Sequence, residues 1–338
     1  MVARLAALEA QRMSEPTVRF SADGPAVAPL GMGASSWGNP VWGMGTYDQD
    51  LSEVTIAEAL DASIAAGVAL IDTAAGYGNG ESERIIGRLL AADPERQKRV
   101  IIASKFMPMP WKLDVRVALR RSLEGSLDRL GLDSVELYQI HGPISLRSHK
   151  VLAAALAAAV KDGLAQAVGV CNFSVKEMTQ MQRALGEHGV SLASNQIEFS
   201  LLRRRPETSG LIETCHEMGI VPLAYSPMGQ GRLTGKYSAE SPPEGKRRFG
   251  AHPMEHVEAV LDLVRSIGET NERTPSQVAL RWVVQKGAVP IPGAKNQDQA
   301  SLNAGALGWE LSATDMAALD AVALEGRRTI HGRIFQHG

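Results

Sequence analysis

The chain has 338 residues, 44% of them hydrophobic and 21% charged, an ordinary globular composition with length enough to bury a large core. Its net charge of −2 supplies no field to attract nucleic acid or an anionic membrane surface. Its two cysteines, Cys171 and Cys215, cannot build a disulfide framework and suit a reducing compartment.

The opening stretch MVARLAALEAQRMSEP has no signal-peptide core or cleavage site, and Glu9 and Glu15 argue against a transit peptide. A short helix or loose tail and a cytoplasmic location are expected. VRFSADGPAVAPL (18–30) reads as a hairpin about Asp23-Gly24-Pro25. Near-continuous apolar runs follow: LGMGAS (30–35), VALIDT (68–73), VIIASK (100–105), VELYQIH (135–141), AQAVGVCN (165–172), ASNQIEF (193–199), IVPLAYS (220–226) and AVPIPGA (288–294). Such runs suit parallel strands covered on both faces.

Helical patterns lie between them. Ile56, Leu60 and Ile64 are four apart; Leu119, Leu123, Leu127 and Leu130 form one stripe behind Asp114, a candidate N-cap. Segment 206–218 opens on Pro206 and places Leu211, Cys215 and Met218 on one face. Gly67, Gly131, Gly163, Gly189, Gly219 and Gly287 stand where helices should close. No stretch reaches the roughly 18 apolar residues needed to cross a bilayer. VLAAALAAAV (151–160) is too short and is stopped by Lys-Asp-Gly.

Eight strand-like runs with helices between them match a closed α/β arrangement, a (β/α)8 TIM barrel, with a doubly wound open sheet as competitor. A single domain is expected, its barrel core at about 28–324. An N-terminal tail and hairpin (1–29) would plug the barrel bottom, and a short tail (325–338) would follow. The longest irregular stretch, SAESPPEGKRRFGAHP (238–253), follows the seventh run and is basic.

GMGASSWG (31–38) begins like a dinucleotide fingerprint, but Ser36 replaces the third glycine and no helical pattern follows. GQGRLTGKY (229–237) resembles a phosphate-binding P-loop with the wrong spacing and Tyr237 in place of Ser or Thr. The histidines form no metal-ligand pattern.

IDTAAGYGNGESE (71–83) carries the stronger signal. The second run ends on Asp72 with Tyr77 in the glycine-rich loop behind it, the third on Lys105, the fourth on His141. Taken singly, Lys105 reads as a solvated strand end, His141 as a core histidine, Asp72 as a helix cap and Tyr77 as a loop aromatic. In a barrel these strand ends converge on one mouth. There Asp72 would hold Lys105 charged, and Lys105 would lower the phenol of Tyr77, which then donates a proton to a developing alkoxide. His141 would orient the carbonyl. The set lacks an electron source, so carbonyl reduction needs a hydride carrier beside it.

IDTAAGYGNGESE, ASKF (103–106) and LYQIHGP (137–143) resemble the signatures of the aldo-keto reductase family, as do VGVCNFS (168–174), SNQIEF (194–199), LAYSPMGQGRLTGK (223–236) and VPIPGAKNQDQASLNAGALGW (289–309). The resemblance implies a (β/α)8 barrel binding NADPH at the strand C-termini, with Asp72, Tyr77, Lys105 and His141 as catalytic tetrad and Tyr77 as proton donor. It implies that Cys171, Asn172 and Gln196 meet the nicotinamide carboxamide, that Tyr225 stacks on its ring, and that Gly33, Ala34, Ser35 and Asp72 lie along the cofactor. Ser226, Pro227, Gly229, Gly231, Leu233, Gly235 and Lys236 would wrap the pyrophosphate. Pro292, Gly293, Ala294, Lys295, Gln299 and Asn303 would form the adenosine end.

Three departures bear on specificity. Cys171 stands where many relatives have serine. Ile291-Pro292-Gly293-Ala294 replaces an Ile-Pro-Lys-Ser pattern. Gln299 replaces an arginine on the 2′-phosphate, a role left to Lys295, so NADH use is allowed beside NADPH. These place the chain nearer the bacterial, plant-plastid and pyridoxal-reducing branch. The short C-terminal tail implies an open pocket, with Trp37, Trp42, Met44, Met107 and Trp111 as candidate walls that favour aromatic or aliphatic aldehydes. Lys246-Arg247-Arg248 reads as a solvated charge run. A monomer or small homo-oligomer acting on a small carbonyl compound is expected. The alternative is a cofactor-binding, redox-sensing subunit resembling those on potassium channels.

Overall fold

The computed structural model describes residues 15–38, 51–112, 114–243, 252–326 and 334–338. The N-terminal stretch before Glu15, Trp42 and Met44, and the triplet Lys246-Arg247-Arg248 lie outside them.

The eight apolar runs supply eight strands in a parallel sheet of sequential order: β1 (Gly31–Gly33), β2 (Leu70–Asp72), β3 (Ile101–Phe106), β4 (Val135–Ile140), β5 (Ala165–Cys171), β6 (Leu192–Glu198), β7 (Val221–Tyr225) and β8 (Val289–Pro290). The sheet closes where Gly33 bridges Gly293, with Gly33 N donating to Pro292 O at 3.0 Å. Closure depends on a missing side chain: a Cβ on Gly33 would stand 2.9 Å from the Ile291 carbonyl oxygen. An open sheet is excluded by a second observation. Gln196 on β6 donates to Asp72 on β2 at 2.7 Å, whereas strands four places apart in an open sheet lie about 19 Å apart.

The helices form as their periodicity dictates. Helix Glu53–Ala65 buries Ile56, Leu60 and Ile64, and Ser52 and Thr55 form a capping box at its start. Helix Val115–Leu130 buries Leu119, Leu123, Leu127 and Leu130; Asp114 caps it by accepting from Val117 N at 3.1 Å. It ends at Gly131, whose left-handed φ of +67° only glycine adopts at little cost. The helix expected over 206–218 is broken: a turn at Arg205–Thr208 and a helix Leu211–Glu217 meet at Gly210, at φ +76°. The stripe Leu211, Cys215 and Met218 belongs to the second piece and its cap alone, while the first buries only Pro206.

Val18 and Val27 pair antiparallel, each donating to the other's carbonyl at 2.9 Å. The hairpin drives Phe20 and Val27 into an apolar cluster with Leu70, Ile101, Leu137, Ala167, Ala193, Val221 and Val289. Those are early residues of their strands, so the hairpin seals the N-terminal end of the barrel. The other end remains for chemistry.

Gly33→Ala should destabilise the fold by about 1–3 kcal/mol through the forced contact across the seam. A lowered urea midpoint at unchanged m-value would show it.

Candidate active site

Residues at the C-terminal ends of β2, β3 and β4 meet around one ammonium group. Lys105 is fully buried on β3, next to β2 in register. Its Nζ donates to Asp72 Oδ2 at 2.6 Å, to the Thr73 carbonyl at 2.8 Å and to the Tyr77 hydroxyl oxygen at 3.3 Å. All three ammonium hydrogens are thereby used. Tyr77 reaches this position because the chain leaves β2 through a tight turn, Tyr77 N donating to Ala74 O at 3.0 Å and Gly78 and Asn79 taking left-handed φ of 57° and 54°. The His141 ring lies edge-on to Tyr77, 5.6 Å between centroids at 77°.

The electrostatics assign different states to these groups. Burial opposes the charge on Lys105, but the Asp72 carboxylate beside it wins and holds its pKa above the ordinary lysine value. Burial and the nearby Lys105 charge drive His141 down to about 3, so it is a neutral imidazole at working pH. Tyr77 corrects an expectation. Its phenol lies above the ordinary value, because desolvation outweighs the lowering by Lys105, and Asp72 adds to the rise. The phenol is therefore a reliably protonated group. Since Lys105 donates to its oxygen, its own hydrogen points away from the lysine.

Asp72 is held from a second side. Its Oδ1 accepts from Gln196 Nε2, and its Oδ2 from Lys105. Gln196, expected at the cofactor, is thus also joined to the acid, which leaves its Oε1 as the outward acceptor. Beside it, Asn172 N donates to Gln196 O at 2.8 Å, and Asn172 itself sits at φ +61°. The Tyr225 hydroxyl donates to Asn172 Oδ1 at 3.1 Å, which turns Nδ2 outward as a donor. An acceptor from Gln196 on β6 and a donor from Asn172, just past the end of β5, complement the NH2 and C=O of a primary carboxamide. Cys171 is buried, its Sγ 3.9 Å from Gln139 Oε1, and desolvation keeps it a thiol.

After β7 the backbone takes left-handed φ at Ser226, Gly229, Gln230, Gly231 and Gly235. Within this stretch Gly229 N donates to Ser226 O at 2.9 Å and Gly231 N to Met228 O at 3.1 Å, which folds the loop into tight turns. Pro227 is buried at the start of the loop, Leu233 anchors it in the core, and Lys236 is exposed at its end. At the barrel seam, Asn303 Nδ2 donates to Gly293 O at 3.2 Å, and Gln299 Oε1 accepts from Lys295 N at 3.2 Å. Pro292 and Ala294 are buried there, while Gly33 and Ala34 line the first strand's end and Ser35 is exposed.

The expected substrate walls separate. Trp37 is 0% exposed in the main core, and its indole donates to Ala294 O at 2.9 Å, so it braces the seam loop instead of facing a pocket. Trp111 is 70% exposed and Met107 partly so, both beyond the end of β3. The short C-terminal tail is docked on the barrel mouth. Residues 334–338 return to the ends of β5–β7: Gln336 Nε2 donates to Glu198 Oε2 at 2.6 Å and to the Tyr225 hydroxyl oxygen at 2.8 Å, and His337 N donates to Asn172 O at 3.1 Å. The sequence reading missed Gln336 and Glu198. The one available hint was an apolar pair, Ile334-Phe335, inside a polar tail.

Comparison with known proteins agrees with this geometry. Residues 29–324 match the aldo/keto reductase family model. The chain is 34% identical to a chloroplastic pyridoxal reductase of Arabidopsis thaliana, over 92% of this chain and 87% of that one. An aldo-keto reductase from Klebsiella pneumoniae, solved with NADPH, superposes with a TM-score of 0.73 at 26% identity, covering 94% of this chain and 98% of the other. A glycerol dehydrogenase from Gluconobacter oxydans gives 0.79 at 25%, covering 94% and 99%.

Lys105→Met should leave Asp72 buried without its counter-charge and cost about 3–5 kcal/mol of stability, read by denaturant unfolding. His141 sets a pH dependence of known sign. Its folded pKa of about 3 lies below the ordinary value of 6.5, so the unfolded chain binds the extra proton between these limits. Stability from this group is complete above pH 6.5 and lost as pH falls toward 3. His141→Gln should flatten that part of the Tm-against-pH curve relative to wild type.

Proposed function

The chain belongs to the aldo/keto reductase family, and on that premise we propose that it reduces aldehydes and ketones to alcohols with NADPH, Tyr77 supplying the proton. The observation that carries this reading is the Lys105 ammonium bonded at once to Asp72, Thr73 and the Tyr77 hydroxyl. NADPH, when bound, supplies the hydride. Asn172 and Gln196 are suited to its carboxamide, Tyr225 to its ring, the loop from Ser226 to Lys236 to its pyrophosphate, and Lys295 with Gln299 and Asn303 to its adenosine end. Lys295, as a point charge, favours the 2′-phosphate without excluding NADH.

At the carbonyl, neutral His141 orients the oxygen and Tyr77 delivers its proton as negative charge develops there. Lys105 stabilises the phenolate that this leaves behind, and Asp72 keeps Lys105 charged. Met107 and Trp111 suit an apolar substrate body, and aldehydes such as pyridoxal are the first class to try. The buried free thiols Cys171 and Cys215, the latter pushed up to about 12 by burial, fit a reducing, cytoplasmic setting. Among the described residues no helix is long and apolar enough to cross a membrane.

Wild type should consume NADPH, read at 340 nm, with pyridoxal or 4-nitrobenzaldehyde. Tyr77→Phe should lose roughly 10²–10⁴-fold in kcat while NADPH still quenches its intrinsic fluorescence. Equal rates in the two proteins would remove Tyr77 from its role. Quenching with no turnover of any carbonyl would favour a cofactor-holding subunit.

A further inference from the structure

The returning segment 334–338 does more than cover surface. Gly338 is buried, and a Cβ on it would lie 2.9 Å from Leu211 Cδ2 and 3.0 Å from Phe173 O. Arg203 Nη2 donates to Gly338 O at 3.4 Å, and His337 Nδ1 pairs with Glu177 at 2.9 Å. The segment is therefore seated from several elements at once, and its seat puts the Gln336 amide between two neighbouring strand ends. Glu198 and Tyr225 are paired in register on β6 and β7, and Gln336 donates one hydrogen to each.

The direction of these bonds matters. The phenol oxygen of Tyr225 accepts from Gln336 at 2.8 Å, and its hydrogen goes to Asn172 Oδ1 at 3.1 Å. With its oxygen occupied by a donor, the phenol's hydrogen is committed to Asn172. That in turn fixes which end of the Asn172 amide faces outward. A phenol without Gln336 could rotate its hydrogen toward Glu198 instead, and Asn172 would lose its orienting partner. Reciprocal strengthening is expected along such a chain of bonds in a water-poor setting.

We propose that Gln336 is a positioning residue for the nicotinamide end of the cofactor, acting through Tyr225 to orient Asn172. The proposal rests on the assignment of Tyr225 and Asn172 to the nicotinamide made above. It predicts an effect on cofactor binding that vanishes when the intermediary hydroxyl is absent.

The test is a double-mutant cycle on the full chain, with NADPH affinity read from quenching of intrinsic fluorescence and Tm measured alongside. Gln336→Leu and Tyr225→Phe should each weaken NADPH roughly 3- to 10-fold, the scale of one hydrogen bond. The double variant should bind within about twofold of Tyr225→Phe alone, because the two act in series. At saturating NADPH, kcat of Gln336→Leu should recover to within about twofold of wild type, the loss appearing in KM for NADPH. Gln336→Met, which keeps the side-chain length without the donor, repeats the cycle if the leucine variant is poorly folded. Unchanged affinity in both Gln336 variants, or losses that multiply in the double variant, would overturn the proposal while leaving the reductase reading intact. Failure of NADPH to quench the wild type would overturn both.

Discussion

The buried pair of Lys105 and Asp72 is the constraint on which the rest of this molecule depends. A lysine with no exposed surface is costly unless each of its hydrogens finds an acceptor and its charge finds a partner. Here the end of β2 supplies one acceptor, Asp72 Oδ2, and the segment after it two more, the Thr73 carbonyl and the Tyr77 hydroxyl. The acid is also braced from across the barrel by Gln196. That last bond spans the barrel interior, so the site is complete only when the sheet has closed. Closure in turn rests on the bare backbone of Gly33 against Ile291. Assembly of the fold and assembly of the charged centre are thus one event.

Around that centre, burial sorts three titratable groups into distinct duties. The ammonium stays charged because its neighbour is an acid. The imidazole is neutral because it is buried near the ammonium. The phenol keeps its proton because desolvation exceeds the pull of the lysine. A charged donor, a neutral one and a protonated acid within a few ångströms suit a reaction in which an oxygen gains negative charge and then a proton. No metal is needed for that sequence, and the residues themselves carry the polarity.

Much of this was legible in the amino-acid order. The strands were visible because both faces of a parallel barrel strand are covered, so apolar runs go uninterrupted until a polar residue announces the mouth, as at Asp72, Lys105 and His141. Helix stripes were equally plain, but the break at Gly210 stayed hidden, because the stripe from Leu211 to Met218 lies wholly beyond it. The errors share a cause: long-range contacts leave no local trace. Trp37 reads as a pocket wall but is captured by Ala294, far along the chain. Gln336 lies in a polar tail, and nothing near it in sequence says that Tyr225 and Glu198 await it. The sign of the Tyr77 shift also escaped, because the charge that lowers it can be read from sequence and the depth of burial that raises it cannot.

The hairpin at 18–27 fixes the polarity of the barrel. With Phe20 and Val27 packed into the apolar layer at the strand beginnings, that rim is dry and filled with side chains. The buried charges of Asp72 and Lys105 stand at the opposite rim, so changes beside the hairpin act on how firmly the barrel holds together and leave its chemistry alone.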